Sequence, residues 1–213
     1  MNAVTEIAFE KAKRGFFTRQ EMAYWIGTSG ARLDALLKRA VGTGDLSRIC
    51  RGLYCLDKRY LRAPLNPMDL AQSVYGPSYI SLESALLYHE WIPEAVYAIT
   101  SVSLSRSRDF NTPLGYFSFT RVPQSCFYLE VNRVAMEGGD GLFFMASPLK
   151  ALADYVYFHH YHWSSVGPVL DSLRVEESSL ATLTSDSFDL LLTNYKAGWV
   201  QRFLAGLRKD LTL

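Results

Sequence analysis

Glycines and helix-capping residues divide the first sixty residues of this chain into short segments. Apolar residues at helical spacing run through residues 3–14, and Gly15 follows them. Thr18 and Glu21 have the three-residue spacing of a capping box at the start of a second helix, which Gly27 closes. These signals predict three short helices, over residues 3–14, 19–26 and 30–41.

A β-hairpin is predicted directly after the third helix. Residues 46–50 and 53–56 are rich in β-formers, and Arg51 and Gly52 between them are a turn signal. Two helices joined by a short turn that contains glycine form a helix-turn-helix, and a hairpin after the second of them is a wing. The order of elements predicts an N-terminal winged helix-turn-helix domain over residues 1–62.

Positive charge is concentrated in the first 62 residues of the chain, and negative charge prevails in the remainder. Residues 1–62 contain 12 Lys or Arg and 6 Asp or Glu, whereas the remainder contains 10 and 15, although the whole chain carries a formal charge of only +1. A basic domain attached to an acidic one indicates a polyanionic partner for the basic domain alone. We therefore expect the partner to be double-stranded DNA.

Five residues are the candidates for DNA contact. Arg32 and Arg39 lie on the stripe of the third helix opposite its apolar face, with Ser29 at the helix start, and we expect this helix to enter the major groove. Arg48 and Arg51 lie on or beside the hairpin tip, where they would contact phosphates or a minor groove.

Two alternatives qualify this prediction. Lys38 lies off the stripe and four residues after Asp34, which favours a surface ion pair between them. Helix-turn-helix folds also serve as protein–protein modules, so a winged helix that does not bind DNA stays open.

The second predicted domain covers residues 63–213. Residues 57–67 shift in composition, contain two prolines and are interpreted as a linker. Strands are expected between 96 and 145, with helical segments on both sides, which predicts an α+β domain rather than an alternating parallel sheet. The strands expected at 125–131, 133–136 and 142–145 include a pair joined by a glycine-rich turn at 138–141.

The composition places further bounds on the chain. No apolar run approaches the roughly 20 residues of a membrane span. The first residues lack the apolar core of a signal peptide, so a soluble, cytoplasmic protein without membrane contact is expected. Cys50, Cys55 and Cys126 lack a zinc-ligand spacing and are interpreted as reduced thiols.

The residues that could carry catalysis or bind a metal form weak patterns, so neither an enzyme, nor a cofactor, nor a metal site is expected. His159 and His162 could share a helix face with Asp154 nearby, but a third ligand at suitable spacing is lacking. Asp109 and Glu130 resemble part of a metal-dependent nuclease site that lacks its lysine. A nuclease, and a regulator that senses a small molecule, stay open as alternatives.

Four further polar residues are interpreted from their positions in the predicted elements. Arg106 and Arg108 alternate on an early β segment and are expected to be solvated or paired with acidic groups rather than bound to nucleic acid. Lys150 is either a polar contact or a solvated surface residue. Asp154, one turn later, is interpreted as an internal hydrogen-bonding residue.

An ordered set of motifs resembles the AbiEi family of bacterial antitoxins and transcriptional regulators. The set follows the predicted winged helix and consists of YISLESAL at 79–86, ITSV at 99–102, RSRDF at 106–110, TPLGYF at 112–117 and ASPLKALAD at 146–154. The resemblance covers residues 10–165, and the last fifty residues match less clearly.

The resemblance implies a winged-helix DNA-binding domain joined to an antitoxin domain. Its members are expected to repress their own promoter by binding repeats in it. They also counteract a nucleotidyltransferase-type toxin without requiring direct contact with it, which is the type IV arrangement. A relative that lacks a toxin is equally compatible with the residues.

Overall fold

A computed structural model describes residues 2–135 and 141–213, and it has a mixed α+β fold. The predicted turn at 138–141 and the strand end at Met136 lie outside the described residues, apart from Gly141. Within the described residues the strands form one three-stranded and one six-stranded sheet. The α+β class predicted from the sequence is confirmed at this level.

The three-stranded sheet and three helices are built from the first 56 residues. The elements are α1 (Ala3–Lys11), β1 (Phe16–Thr18), α2 (Arg19–Ile26), α3 (Gly30–Gly42), β2 (Leu46–Cys50) and β3 (Leu53–Leu56). The strand order is β1-β3-β2, and both pairs are antiparallel. The hairpin of β2 and β3 was predicted, whereas β1, which pairs Thr18 with Leu53, was not.

The predicted capping signals explain where α2 begins and ends. The Thr18 hydroxyl accepts a hydrogen bond from the Glu21 amide at 3.2 Å, and the Glu21 carboxylate accepts one from the Thr18 amide at 2.6 Å. Gly27 ends the helix with a left-handed φ of 68°. The capping box is therefore confirmed, whereas α1 ends at Lys11, three residues earlier than predicted.

The remaining elements surround the six-stranded sheet. They are α4 (Pro67–Val74), β4 (Ser78–Ile80), α5 (Leu82–Tyr88), β5 (Ala98–Ser103), β6 (Arg108–Thr112), β7 (Gly115–Arg121), β8 (Val131–Ala135), β9 (Leu142–Ala146), α6 (Pro148–Phe158), α7 (Gly167–Asp171), α8 (Glu177–Leu180), α9 (Ser185–Asn194) and α10 (Gly198–Asp210). The strand order is β6-β7-β5-β4-β9-β8. The β5–β7 and β4–β9 pairs are parallel and the others are antiparallel, so the sheet is mixed.

Two hydrophobic cores lie in these layers. The smaller core joins α1, α3 and one face of the three-stranded sheet, with Ala8, Leu33 and Leu37 fully buried. The larger core fills the space between the six-stranded sheet and the helices that follow it. Four residues of the first 56 belong to this larger core, namely Phe16, Ile49, Leu53 and Cys55.

The segment interpreted as a linker is packed against elements of the first 56 residues. It contains a 3-10 helix, Lys58–Tyr60, and the Tyr60 hydroxyl donates to the Asp45 carboxylate at 2.9 Å. Leu61 and Leu65 lie so close to Gly15 that a Cβ there would come within 2.5 Å of Leu61 and 3.0 Å of Leu65. Residues 57–65 are thus part of the packed structure.

Candidate nucleic-acid interface

A groove of about 990 Å³ lies between α3 and the hairpin of β2 and β3. The first turn of α2 and Ser73 of α4 also line it. Four cationic side chains line this groove together with a single carboxylate. The charged lining residues are Arg19, Lys38, Arg48, Arg51 and Asp34.

The hairpin supplies two of these cations. Gly52 takes a left-handed φ of 82° in the tight turn between the strands, and Arg51 precedes it with an exposed side chain. The Arg48 Nε donates to the carbonyl of Cys50 at 3.2 Å, where the strand pairing shifts register. This hydrogen bond ties the exposed Arg48 side chain to the backbone of its own strand, beside the groove.

Arg19 and Asp34 join the start of α2 to α3. The Arg19 Nε and Nη2 donate to the two Asp34 carboxylate oxygens at 2.7 and 3.1 Å. These hydrogen bonds raise the pKa of the Arg19 guanidinium and lower the pKa of the Asp34 carboxyl. The predicted pairing of Asp34 with Lys38 is therefore wrong, because Arg19 reaches the carboxylate from the neighbouring helix.

The structure separates the predicted contact residues into two groups. Arg48 and Arg51 line the groove, but Arg32 and Arg39 are exposed on α3 outside its lining. Successive residues of an α-helix are about 100° apart, which turns Lys38 toward the hairpin and Arg39 away from it. Ser29 precedes α3 as its N-cap residue, but its side chain makes no capping hydrogen bond.

Sequence reasoning therefore missed Lys38 and Arg19 as lining residues. Lys38 was assigned to Asp34 because four-residue spacing on one helix is the strongest local rule for ion pairs. The pair that forms instead spans 15 residues and crosses the turn between two helices. A capped helix start with Arg at its first position was the available signal for Arg19.

Positive charge continues beyond this groove. A second cavity of about 310 Å³ shares Thr18 and Ser73 with it and is lined by Lys11, Lys13 and Arg14 together with Glu21. Burial raises the pKa of the Cys50 thiol, and Arg48 and Arg108 of β6 are the cations near it. The Arg108 guanidinium lies 5.0 Å from the centre of the Phe110 ring.

The structure places the histidines of the cluster apart from Asp154. His159 Nε2 lies 3.0 Å from a carboxylate oxygen of Glu83, and His162 is exposed beside Trp199. Asp154 lies in the larger core, where its partners are tyrosine and serine hydroxyls. Among residues 2–135 and 141–213, no three His, Cys, Asp or Glu side chains are grouped to hold a metal ion.

The carboxylates considered for a nuclease lie at opposite edges of the six-stranded sheet. Asp109 is on β6, where it accepts a hydrogen bond from Ser118 at 2.8 Å. Glu130 directly precedes β8 and contacts Ser187 at 3.4 Å. Five strand spacings separate these edges, roughly 24 Å at the usual distance between strands. The two carboxylates therefore do not form one metal-binding site.

Lys150 is fully buried, which excludes the interpretation of a solvated surface lysine. Its ammonium group donates to the Gln124 side-chain oxygen at 2.5 Å and to the Tyr195 hydroxyl at 3.3 Å. Burial lowers the pKa of Lys150 and raises the pKa values of Tyr79 and Tyr195 well above their ordinary value. The interpretation of Asp154 as an internal hydrogen-bonding residue is confirmed.

No protein-family model matches this chain, and no curated protein sequence matches it significantly. Among the helices of residues 2–135 and 141–213, none has both the length and the apolar character that crossing a bilayer requires.

Proposed function

We propose that this protein is a transcriptional regulator that binds double-stranded DNA through a winged helix formed by its first sixty residues. The observation that carries the proposal is the groove between α3 and the hairpin, which is lined by four cationic side chains and one carboxylate. Phosphate contacts by Lys and Arg supply most of the affinity of such interfaces, because each contact releases condensed counterions from the DNA. A groove with this excess of positive charge suits a phosphate backbone.

The order and pairing of the elements support the winged-helix part of the proposal. A helix, a strand, two helices and a hairpin follow one another, and the three strands pair as β1-β3-β2. In this arrangement α3 would be the recognition helix and the turn at Gly52 the tip of a short wing. Ala31 and Ala35 on the outer face of α3 are small enough to let its backbone approach a groove floor.

The two groups of cations would then contact different parts of the duplex. Lys38 and the hairpin arginines would neutralise phosphates on one side of α3. Arg32 and Arg39, which lie on the other side, would contact base edges or the opposite strand. A helix in a major groove lies between the two phosphate backbones of the duplex, so cations on either side of α3 would be within reach of DNA.

The resemblance to AbiEi proteins supports a more specific role. On that basis we propose that the chain represses its own promoter by binding repeats in it, and that it counteracts a nucleotidyltransferase-type toxin without direct contact. Co-expression tests this role. If the neighbouring gene encodes such a toxin and the protein does not restore growth, the antitoxin proposal fails while the DNA-binding proposal stands.

A salt series on a fluorescently labelled duplex tests DNA binding. The logarithm of the affinity should fall linearly with the logarithm of the salt concentration, with a slope of about −0.9 per phosphate contact. The double variant Arg48→Gln/Arg51→Gln should bind more weakly and reduce that slope by about 2, because two contacts are lost. Arg202→Gln, which changes an exposed arginine on α10, is the matched control and should leave the slope unchanged.

Two results would count against the proposal. The first is a wild-type protein that does not retain a duplex even at low salt. The second is a double variant whose salt dependence equals that of the wild type, because the groove would then not be the contact surface.

A further inference from the structure

The groove contains one negative charge where a purely phosphate-binding surface would have none. Asp34 is the single carboxylate among the described lining residues, and 58% of its side chain is exposed. It faces the hairpin like Lys38 but lies one turn earlier, in the N-terminal half of α3, the part of a recognition helix that contacts base edges. A carboxylate at this position lowers the attraction of the groove for any phosphate backbone.

Arg19 holds this carboxylate in one orientation. The guanidinium donates to both carboxylate oxygens and also to the Gly30 carbonyl at 3.3 Å. The Arg19 side chain is 35% exposed, so the pair is accessible to solvent and to a ligand. Each carboxylate oxygen accepts one bond from Arg19 and has a second lone pair, so Asp34 can accept a further hydrogen bond while the pair is intact.

We infer that Asp34 is a specificity-determining residue whose carboxylate accepts a hydrogen bond from the exocyclic amino group of a cytosine. This inference rests on the proposed DNA binding and names the chemistry that the groove would read. In the major groove the amino groups of cytosine and adenine are the base-edge donors, and a carboxylate acceptor pairs with the cytosine N4.

The inference assigns two effects to one side chain. Opposite a cytosine amino group, the carboxylate replaces its water contacts with a direct acceptor bond. Opposite a base edge that presents hydrogen-bond acceptors, the carboxylate loses its water contacts and faces partial negative charge. Asp34 thus gains affinity at one base pair and lowers affinity for arbitrary sequence, which is how a negative element improves discrimination.

A purely structural role would give a different pattern. If the Arg19–Asp34 pair served only to fix α2 against α3, removing either partner would have the same result. Both variants would lose stability and would weaken binding to every sequence together. Removing the two partners one at a time separates these roles.

The experiment selects bound duplexes from a 24-base-pair library with a randomised centre, using the full chain. The proteins are the wild type, Asp34→Ala and Arg19→Gln. Asp189→Ala, which removes an exposed carboxylate paired with Arg208, is the matched control. Sequencing of the bound fraction gives base preferences, and anisotropy on the unselected library gives the affinity for arbitrary sequence.

The wild type and the control should enrich a position fixed as a cytosine–guanine pair. Asp34→Ala should reduce that single preference by at least about fivefold, with the other positions unchanged. It should also bind the unselected library about threefold more tightly, because a like charge has been removed. Arg19→Gln should keep the cytosine preference while binding the unselected library more weakly.

Three outcomes would overturn the inference. The first is a wild-type protein that enriches a motif without a fixed cytosine. The second is an Asp34→Ala variant that keeps every base preference of the wild type. The third is equal weakening by Asp34→Ala and Arg19→Gln on every sequence. A wild type that retains no duplex at all would instead refute the proposed function, and the two failures are therefore distinguishable.

Discussion

Asp154 accepts three hydrogen bonds inside the larger core of the protein. The Tyr195 hydroxyl donates to one carboxylate oxygen at 2.5 Å, and the hydroxyls of Tyr79 and Ser81 donate to the other at 3.0 and 2.8 Å. Lys150, one turn earlier on α6, supplies the opposite charge through Tyr195. Every charged group of the network is compensated, which is the condition under which buried charges are tolerated.

Removing one charge of this network should cost much more stability than replacing both. Asp154→Ala should lower the free energy of unfolding by about 3–5 kcal/mol, because it leaves the Lys150 ammonium buried without a counter-charge. The double variant Lys150→Met/Asp154→Leu should be more stable than this single variant. Urea unfolding of the three proteins measures the difference, and a double variant less stable than Asp154→Ala would contradict this account.

The sequence carried only part of the information about this network. The four-residue spacing of Lys150 and Asp154 on a predicted helix was visible, and Asp154 was interpreted as internal. The partners of the network lie 26 to 75 residues away, on a loop, a strand and the end of another helix. Lysine is rarely buried, so composition alone favours a solvated side chain at position 150.

At the scale of the elements, the hairpin of β2 and β3 packs against both cores. Ile49, Leu53 and Cys55 belong to the larger core, whereas Leu46 and Tyr54 belong to the smaller one. All four residues of β3 are buried. The hairpin that forms one wall of the groove is therefore fixed by contacts with both cores.

Leu53→Ala should show this dependence directly. Truncation of a fully packed leucine costs about 2–5 kcal/mol of stability. It should also weaken duplex binding, because Arg48, Arg51 and the groove wall they occupy depend on this strand. Leu190→Ala, at an exposed leucine on α9, should change stability by less than about 0.5 kcal/mol and leave binding unchanged. Thermal melting and anisotropy are the measurements, and unchanged binding by a destabilised Leu53→Ala would separate the hairpin from the interface.

Elements with local signals were predicted better than elements defined by distant partners. The capping box of α2 and the turn of the hairpin depend on residues within four positions of one another. The strand expected at 125–131 is wrong, because the amide groups of Ser125 and Cys126 donate instead to Asn194 at the end of α9. The strand β1 is only three residues long, and its partner lies 35 or more residues away.

At the scale of the whole molecule, the Asp69 carboxylate of α4 connects the segment after α1 with β9. The Arg14 Nε and Nη2 donate to the two carboxylate oxygens of Asp69 at 2.9 and 2.5 Å. The same Nη2 also donates to the Asp69 backbone carbonyl. The Leu142 amide of β9 donates to the same carboxylate at 3.2 Å. Only 5% of the Asp69 side chain is exposed but 37% of the Arg14 side chain is, so the carboxylate is shielded from solvent and the pair is partly screened by salt.

The packing of early residues into the larger core predicts that residues 1–62 do not form a stable domain alone. In the isolated fragment Phe16, Ile49 and Leu53 would be exposed to water, which removes about 1.5–3 kcal/mol of burial for each of them. A domain of this size has only a few kcal/mol of stability to lose. We therefore expect the fragment to lack a cooperative thermal transition by circular dichroism, whereas the full chain unfolds in a single one. Asp69→Ala in the full chain should lower the melting temperature without dividing the transition in two. A fragment that melts cooperatively at the temperature of the full chain would show that the smaller core suffices, and the hairpin could then move independently of the larger domain.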